Sequence, residues 1–459
     1  GMGGMGVMLF ASEIRAVLAH PRFDARPDLL TMSAYLSTIR PEFGRRTMFE
    51  GVSSLEPGEW AWYSTSTYEC LESCSCWDGG GAGAECVSEI ADTRSVIEDS
   101  ILRHLRTDVP MCSLLSGGID SSIIARVAMD ELGELHTFCA GARSEGFADD
   151  FAMAARVAEY LGTDHTEVEI DSAGFLGRWR GMVDATGVPL STPNEVAIYE
   201  VCRVLRERGF TVALSGEGAD ELFGGYELPM IQAQSYVDHI PDSDLSAGLF
   251  HLNSNAWVSD ELKPVIMQAD WLGATDSDSL LKVWYQLSFE RLRAGCSGSM
   301  QAHLAFHRRM NLPNLLRRLD TASMLCSVEG RTPLADRAVS DFAESLAMKD
   351  KFVNGNPAGT KIALREAFAG RLPDEVVRRP KASFPLPFQE WIGGRVGVLK
   401  KSGFAQDIFR SEAIDAVVGD PAGNWNLAWP MMNLAMWGER WWGDGAVVDE
   451  VFGEVSVMV

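Results

Sequence analysis

Between residues 87 and about 230, short apolar runs alternate with amphipathic stretches, and that alternation closes off most folds. Apolar runs lie at 109–115, 136–140, 166–170 and 211–214; helix-like stretches lie at 88–106, 121–131, 151–161 and 195–208. Strands spaced by helices cannot pair as tight hairpins, so each crosses over and returns parallel to the last. The expected fold is α/β with a parallel sheet, whose ligands sit at the carboxyl ends of the strands. From about 231 onward the pattern is mostly helical. Trp425, Trp429, Trp437, Trp441 and Trp442 recur there at helical spacing, which reads as packing rather than a ligand site.

Ahead of this region the pattern differs. Residues 12–18 predict a helix, and 48–64 predict strand, turn and strand around Pro57-Gly58. Residues 65–86 are rich in Ser, Cys and Gly, with GGGAGA at 79–84, and read as a linker. The expected organisation is an amino-terminal unit at 1–78, a linker at 79–87 and a main domain at 88–459. The net charge of −24 argues against nucleic acid and anionic membrane as partners, because no cation excess is present to neutralise phosphates. No apolar run reaches the ~20 residues a membrane span needs. Nine cysteines, an odd number, suggest a reducing, cytoplasmic setting rather than a disulfide framework. Cys70, Cys74 and Cys76 cluster, but their spacing lacks a second pair or a nearby His, so a variable linker is preferred to a metal site.

Three segments carry chemistry. In LLSGGIDSS an apolar strand ending at Leu115 runs into Ser116, Gly117 and Gly118, and Asp120, Ser121 and Ser122 open a helix. Glycines turn the backbone tightly, and the helix start adds N–H groups and partial positive charge, which together seat a phosphate or pyrophosphate. No Lys follows, so this is not the GxxxxGK[ST] loop. Asp120 beside a phosphate implies an intervening cation such as Mg²⁺. The plainer alternative is a glycine turn with an Asp/Ser helix cap. In ALSGEGADELFGGYE a second buried strand ends in Ser215 and Gly216, and Glu217, Asp220 and Glu221 follow within a few residues. Carboxylates crowded on a turn favour a bound cation over a solvated acidic loop, given the apolar flanks. In VVRRPKASFPLPFQEW, Arg378, Arg379 and Lys381 precede a stiff Pro-rich stretch. A cation there would offset charge developing on phosphates, and a basic surface turn is the alternative.

These segments resemble the asparagine synthetase family. TDVPMCSLLSGGIDSS is similar to its pyrophosphate loop and LSGEGADELFGGY to its second signature. LRRLDTASMLCSVEGRTPLAD looks like its helix-and-turn segment, and GTKIALREAF with LPDEVVRRPKASFPLP like its carboxy-terminal signature. LFASEIRAVLAHP and RTMFEGVSSLEPGEW look like the last part of the family's glutaminase domain. The resemblance implies an ATP-pyrophosphatase (adenine nucleotide alpha hydrolase-like) synthetase domain, mostly helical toward its carboxyl end, preceded by a remnant of an α+β Ntn-type glutaminase domain. It implies amide formation through an acyl-adenylate, aspartate to asparagine, with ATP and Mg²⁺. Ser116, Gly117, Gly118, Asp120 and Ser121 would hold pyrophosphate, and Leu114, Ala140, Ser215 and Gly216 would flank adenosine. Asp120 and Asp220 would bind Mg²⁺, Glu217 would assist amine attack, and Lys381 would stabilise the leaving pyrophosphate.

Two departures stand out. Family glutaminase domains begin with a cysteine nucleophile, whereas this chain opens GMGGMG and its first cysteine is Cys70. Glutamine hydrolysis is therefore not expected of the sequence as written: it is a fragment, or a relative using free ammonia or another amine, with apolar surface left open on residues 1–78. Gly330, Thr332 and Ala335 stand where the family carries bulkier residues, which puts the acceptor pocket in question. The alternatives are a β-lactam or macrolactam synthetase type of ligase, a non-catalytic nucleotide-binding relative, or an enzyme activating a tRNA base or nicotinate. A homodimer is a further expectation.

Overall fold

The computed structural model describes residues 7–75, 89–143, 150–239, 246–356, 358–381 and 386–453. Five strands form one wholly parallel sheet: β1 (Met111–Leu114), β2 (His136–Gly141), β3 (Asp164–Glu169), β4 (Val212–Leu214) and β5 (Glu329–Arg331). Their spatial order is β3-β2-β1-β4-β5. The chain steps outward from β1 to β3, then returns to the other side of β1. This reversal opens a crevice at the carboxyl ends of β1 and β4, where the glycine turns lie.

Successive residues of a strand face opposite ways. Cys112, Phe138, Ala140 and Ala213 enter one core, and Leu115, Cys139 and Leu214 enter another. Burial on both faces explains why these strands read as continuous apolar runs. Helix α1 (Ile119–Leu132) follows β1, α2 (Asn194–Glu207) precedes β4, and α3 (Ala219–Phe223) follows it. The long α4 (Ser299–Met324) and α5 (Trp425–Trp442) belong to the helical carboxyl-terminal part.

The four expected strands are present, and helix Ser172–Thr186 and strand β5 are among the elements that the sequence did not signal. Helix Ser172–Thr186 contains Gly174, Gly177 and Gly181, which weaken its local signal. Buried Phe175, Trp179 and Met182 and an N-cap from Asp171 to the Gly174 N–H supply what propensity lacks. Strand β5 is three residues, Glu-Gly-Arg, with no apolar pattern. It forms because Gly330 admits α4: a Cβ there would lie 2.9 Å from Leu319 Cγ.

The tryptophans of α5 are packing residues. Trp429 and Trp437 are fully buried, and Trp179 stacks on Trp429 at 4.4 Å. Their indoles also donate outward: Trp429 to Ser191 O at 2.8 Å, Trp437 to Gly187 O at 2.9 Å and Trp441 to Gly187 O at 3.2 Å. Asn433 Oδ1 accepts from the Leu190 N–H and from Trp179. These bonds fix the loop that leads into α2.

In the amino-terminal segment, helix Ile14–Leu18 forms as expected. The expected strand, turn and strand at 48–64 is corrected. The turn at Pro57-Gly58 leads into strand Glu59–Tyr63, whose antiparallel partner is Cys70–Ser75, from the stretch read as linker. Residues just after 47 instead dive inward, with Phe49 edge-on to Trp437 and Trp441 at 5.4 and 5.3 Å. Met32 and Tyr35 of helix Leu29–Thr38 join the same core. The hairpin leaves Trp62 at 64% and Leu71 at 69% exposure. The stretch 79–87 and Cys76 lie outside the described residues. Cys70, Cys74 and the other described cysteines form no disulfide, and the described residues hold no cluster of three His, Cys, Asp or Glu able to bind a metal. No helix among them is long and apolar enough to cross a membrane.

Candidate functional site

A cavity of about 410 Å³ opens at the carboxyl ends of β1 and β4. Leu114, Ser116, Gly118, Asp120, Ser121, Ala140, Ser215, Gly216, Glu217, Asp220 and Lys381 all line it. Gly117 is not among the lining residues. Its φ of +69° makes the turn, and a Cβ there would lie 2.5 Å from Met153 Cγ and 2.8 Å from Ala154 N. Glycine at 117 is thus required by the turn and by helix packing behind it.

The two strand-end loops touch. A Cβ at Gly216 would sit 3.0 Å from Asp120 Cβ and 3.2 Å from Ser121 N. Within the first loop, Ser121 Oγ accepts the Ser116 N–H at 3.1 Å, and the Ser122 hydroxyl donates to Gly118 O at 2.7 Å. These bonds shape the loop from within.

Lys361 lies between the two acids. Its Nζ is 2.5 Å from Asp120 Oδ2 and 2.7 Å from Asp220 Oδ1, and its side chain is almost fully buried. Lys381 donates to the other oxygen of Asp220. Burial raises both carboxyls, but the Lys361 and Lys381 ammonium groups reverse this at Asp220 and hold it at about 2. For Asp120 burial prevails over Lys361, and its carboxyl stays above the usual range. Burial, then Asp220, pushes Glu221 up to about 7. Burial alone would lower Lys381, but Asp220 and Asp120 overcome it and raise the ammonium.

Asp120 Oδ1 is buried without a hydrogen-bond partner. An orphan carboxylate oxygen, close to a second carboxylate and facing a cavity, suits Mg²⁺, which takes one or two protein carboxylates and fills its other positions with phosphate and water. The residues present therefore fit such an ion.

Several lining residues were not picked out from the sequence. Lys361 adopts φ 53°, a conformation rare outside glycine, at the residue preceding helix Ile362–Ala367. Arg318, on α4, donates to Glu217 Oε1 at 2.9 Å and to Thr192 Oγ1 at 3.0 Å. Of the basic triplet, Arg379 lines the cavity and binds Asp150 at 3.0 Å, while Arg378 is exposed. Tyr226, Asn194, Thr360 and Arg365 complete the polar wall, and Phe138, Ala197, Ile198 and Val201 the apolar one. Gly330, Thr332 and Ala335 do not line the cavity. Ala335 instead packs on Gly218, whose Cβ would lie 2.7 Å away. Leu315, Arg318 and Leu319 do line the cavity.

A parallel sheet with two glycine turns at its switch point, joined to a largely helical carboxyl-terminal part, defines an ATP-pyrophosphatase-type synthetase fold. The profile of the Asparagine synthase family matches residues 92–439, and the chain belongs to that family. It is 27% identical over 384 residues to glutamine-hydrolyzing asparagine synthetase 1 of Bacillus subtilis (strain 168), covering 76% of this chain and 59% of that protein. It is 26% identical over 399 residues to glutamine-hydrolyzing asparagine synthetase 3 of the same strain, covering 82% and 61%. Glutamine-hydrolyzing asparagine synthetase 3 of Arabidopsis thaliana is 35% identical over 149 residues, 29% of this chain and 25% of the plant protein. The chain spans about three fifths of the Bacillus relatives it matches.

Proposed function

We propose that this chain activates a carboxylate with ATP and transfers the acyl group to an amine, with aspartate as acyl substrate, ammonia as acceptor, and asparagine, AMP and pyrophosphate as products. The observation that carries this reading is the meeting of Asp120, Asp220, Lys361 and Lys381 at the mouth of the glycine loop. Phe138, Ala140, Ile198 and Val201 form the apolar wall for adenine, with Leu114, Ser215 and Gly216 alongside. Ser116, Gly118 and Ser121 face the phosphates, and Gly117 shapes their turn. Asp120 and Asp220 would hold Mg²⁺, which supplies charge neutralisation at the phosphate oxygens.

A carboxylate is a poor electrophile. The substrate carboxylate attacks the α-phosphorus of ATP, the bond to the β-phosphate oxygen breaks, and pyrophosphate leaves. Lys381, and Lys361 behind it, stabilise the charge that grows on the leaving group. The amine then attacks the acyl carbon, AMP departs, and Glu217 accepts the amine's proton. Arg318 fixes the Glu217 carboxylate in place, and Asn194 and Leu315 share that end of the cavity.

Residues 1–78 are read as the end of a glutaminase-type unit, a reading supported by the exposed apolar side chains of Trp60, Trp62 and Leu71. The free thiols support a cytoplasmic setting. The test is direct: the purified chain receives ATP, MgCl₂, aspartate and ammonium, and AMP, pyrophosphate and asparagine are measured. Asp120→Asn and Lys381→Ala should each lose about 10²–10³ in pyrophosphate release while remaining folded at the assay temperature. Wild-type release by both variants would sink the assignment. A panel of other carboxylates separates aspartate from the lactam-type substrates.

A further inference from the structure

Lys381 leaves the last turn of helix Asp374–Arg378 on an irregular loop, and its side chain is 31% exposed. Long ammonium side chains on loops sample many rotamers, and holding one at a single point costs entropy. Besides Asp220, the face of Tyr226 meets it among the described residues, with the ring centroid 5.1 Å from Nζ. We propose that Tyr226 is a positioning residue, whose ring holds the Lys381 ammonium at the phosphate end of the cavity while its hydroxyl, bonded to Glu221, fixes the ring. This rests on the reading above that Lys381 meets pyrophosphate.

Four observations support it. The Tyr226 hydroxyl donates to Glu221 Oε1 at 2.6 Å, and Glu221 is only 1% exposed, so the anchor is rigid. The His307 ring packs 5.2 Å behind Tyr226. His307 Nε2 accepts from Asn311 Nδ2 at 2.8 Å, and Asn311 Oδ1 accepts from Arg40, so the brace is itself held. Finally, Gly225 brings Tyr226 in directly behind Asp220. A Cβ at 225 would lie 2.0 Å from Asp220 Oδ1 and 2.2 Å from Lys361 Cε, so only glycine lets the chain pass there. A desolvated aromatic face under a cation attracts it enough to bias one rotamer.

The experiment is a double-variant cycle on the full chain, with inorganic pyrophosphate and MgCl₂ as probe, binding read by calorimetry and folding by melting. Lys381→Ala and Tyr226→Leu should each weaken binding about tenfold, and the double variant should lose little more than the worse single one. Tyr226→Phe, which keeps the ring but gives up its anchor on Glu221, should bind between wild type and Tyr226→Leu. Should Tyr226→Leu melt below the assay temperature, Tyr226→Met takes its place. Additive losses from Lys381→Ala and Tyr226→Leu, or a phenylalanine variant as poor as the leucine one, overturn the inference. Normal binding by Tyr226→Leu beside a defective Lys381→Ala overturns it alone. Normal binding by Lys381→Ala overturns the assignment of Lys381 itself, and the inference falls with it.

Discussion

Replacing Lys361 by Met keeps the length of a buried side chain and removes one charge. Asp120 and Asp220 would then share the single ammonium of Lys381. The Asp220 carboxyl lies at about 2 instead of the ordinary 3.8. At about 1.4 kcal/mol per tenfold change in ionisation, that net difference, left after burial's opposing penalty, is on the order of 2 kcal/mol. Breaking a buried ion pair by removing one partner costs about 3–5 kcal/mol at neutral pH, which sets the upper bound. We therefore expect Lys361→Met to lose about 2–4 kcal/mol at pH 7. The loss has a definite pH dependence. A depressed carboxyl such as Asp220 contributes its full stabilisation above its unfolded value and loses it as pH falls through about 2. Asp120, raised by burial, opposes folding at neutral pH and is relieved on acidification. Without Lys361, one of the two acids takes up a proton more easily, so the gap between variant and wild type should shrink toward pH 4. Millimolar Mg²⁺ should shrink it too, by returning a cation to the pair. Urea denaturation at pH 7 and pH 4.5, with and without MgCl₂, measures this. A loss below about 1 kcal/mol, or one independent of pH, would refute the claim that Lys361 is what makes two adjacent buried acids tolerable.

Burial pushes the Glu195 carboxyl up to about 7 against its bonds from Ser191. Its stabilisation is complete below the ordinary carboxylate range and lost as pH rises through about 7, so Glu195→Gln should be the more stable protein at pH 8.5 by about 1–3 kcal/mol and show no such gain at pH 5; melting curves at the two values decide. Gly216→Ala would wedge a methyl group between the two strand-end loops, so ATP affinity by calorimetry should fall about tenfold for a stability cost of about 1–2 kcal/mol. Glu217→Gln should slow amide formation about 10²-fold while leaving the single-turnover burst of aspartate-dependent pyrophosphate within about threefold, because the base acts only after the adenylate exists; equal loss of burst and amide would count against that role.

The parts of the site that were legible in the sequence are those whose signal is local. An apolar strand, a glycine turn and an acid within a few residues place Asp120 and Asp220 at strand ends without any tertiary knowledge. Lys361 sends no such signal: it lies about 140 residues beyond Asp220 in the chain and owes its position to one left-handed residue before a short helix. Arg318 is one of several arginines on a 26-residue helix, and only packing selects it to face Glu217. Tyr226 was visible inside its motif, yet its role depends on a lysine far downstream. Strand β5 and helix Ser172–Thr186 escaped for a related reason, since close approach at Gly330 and burial of Phe175 and Trp179 outweigh weak local preference.

The indoles of Trp429, Trp437 and Trp441 bind the carbonyls of Ser191 and Gly187, just ahead of the helix that lines the nucleotide cavity. As the ribosome extrudes this chain, both glycine turns emerge long before those tryptophans do. The sheet needs no strand beyond Arg331, but one wall of its crevice is fastened by residues 429–441. The shape of that wall therefore rests on side chains far downstream of both glycine turns.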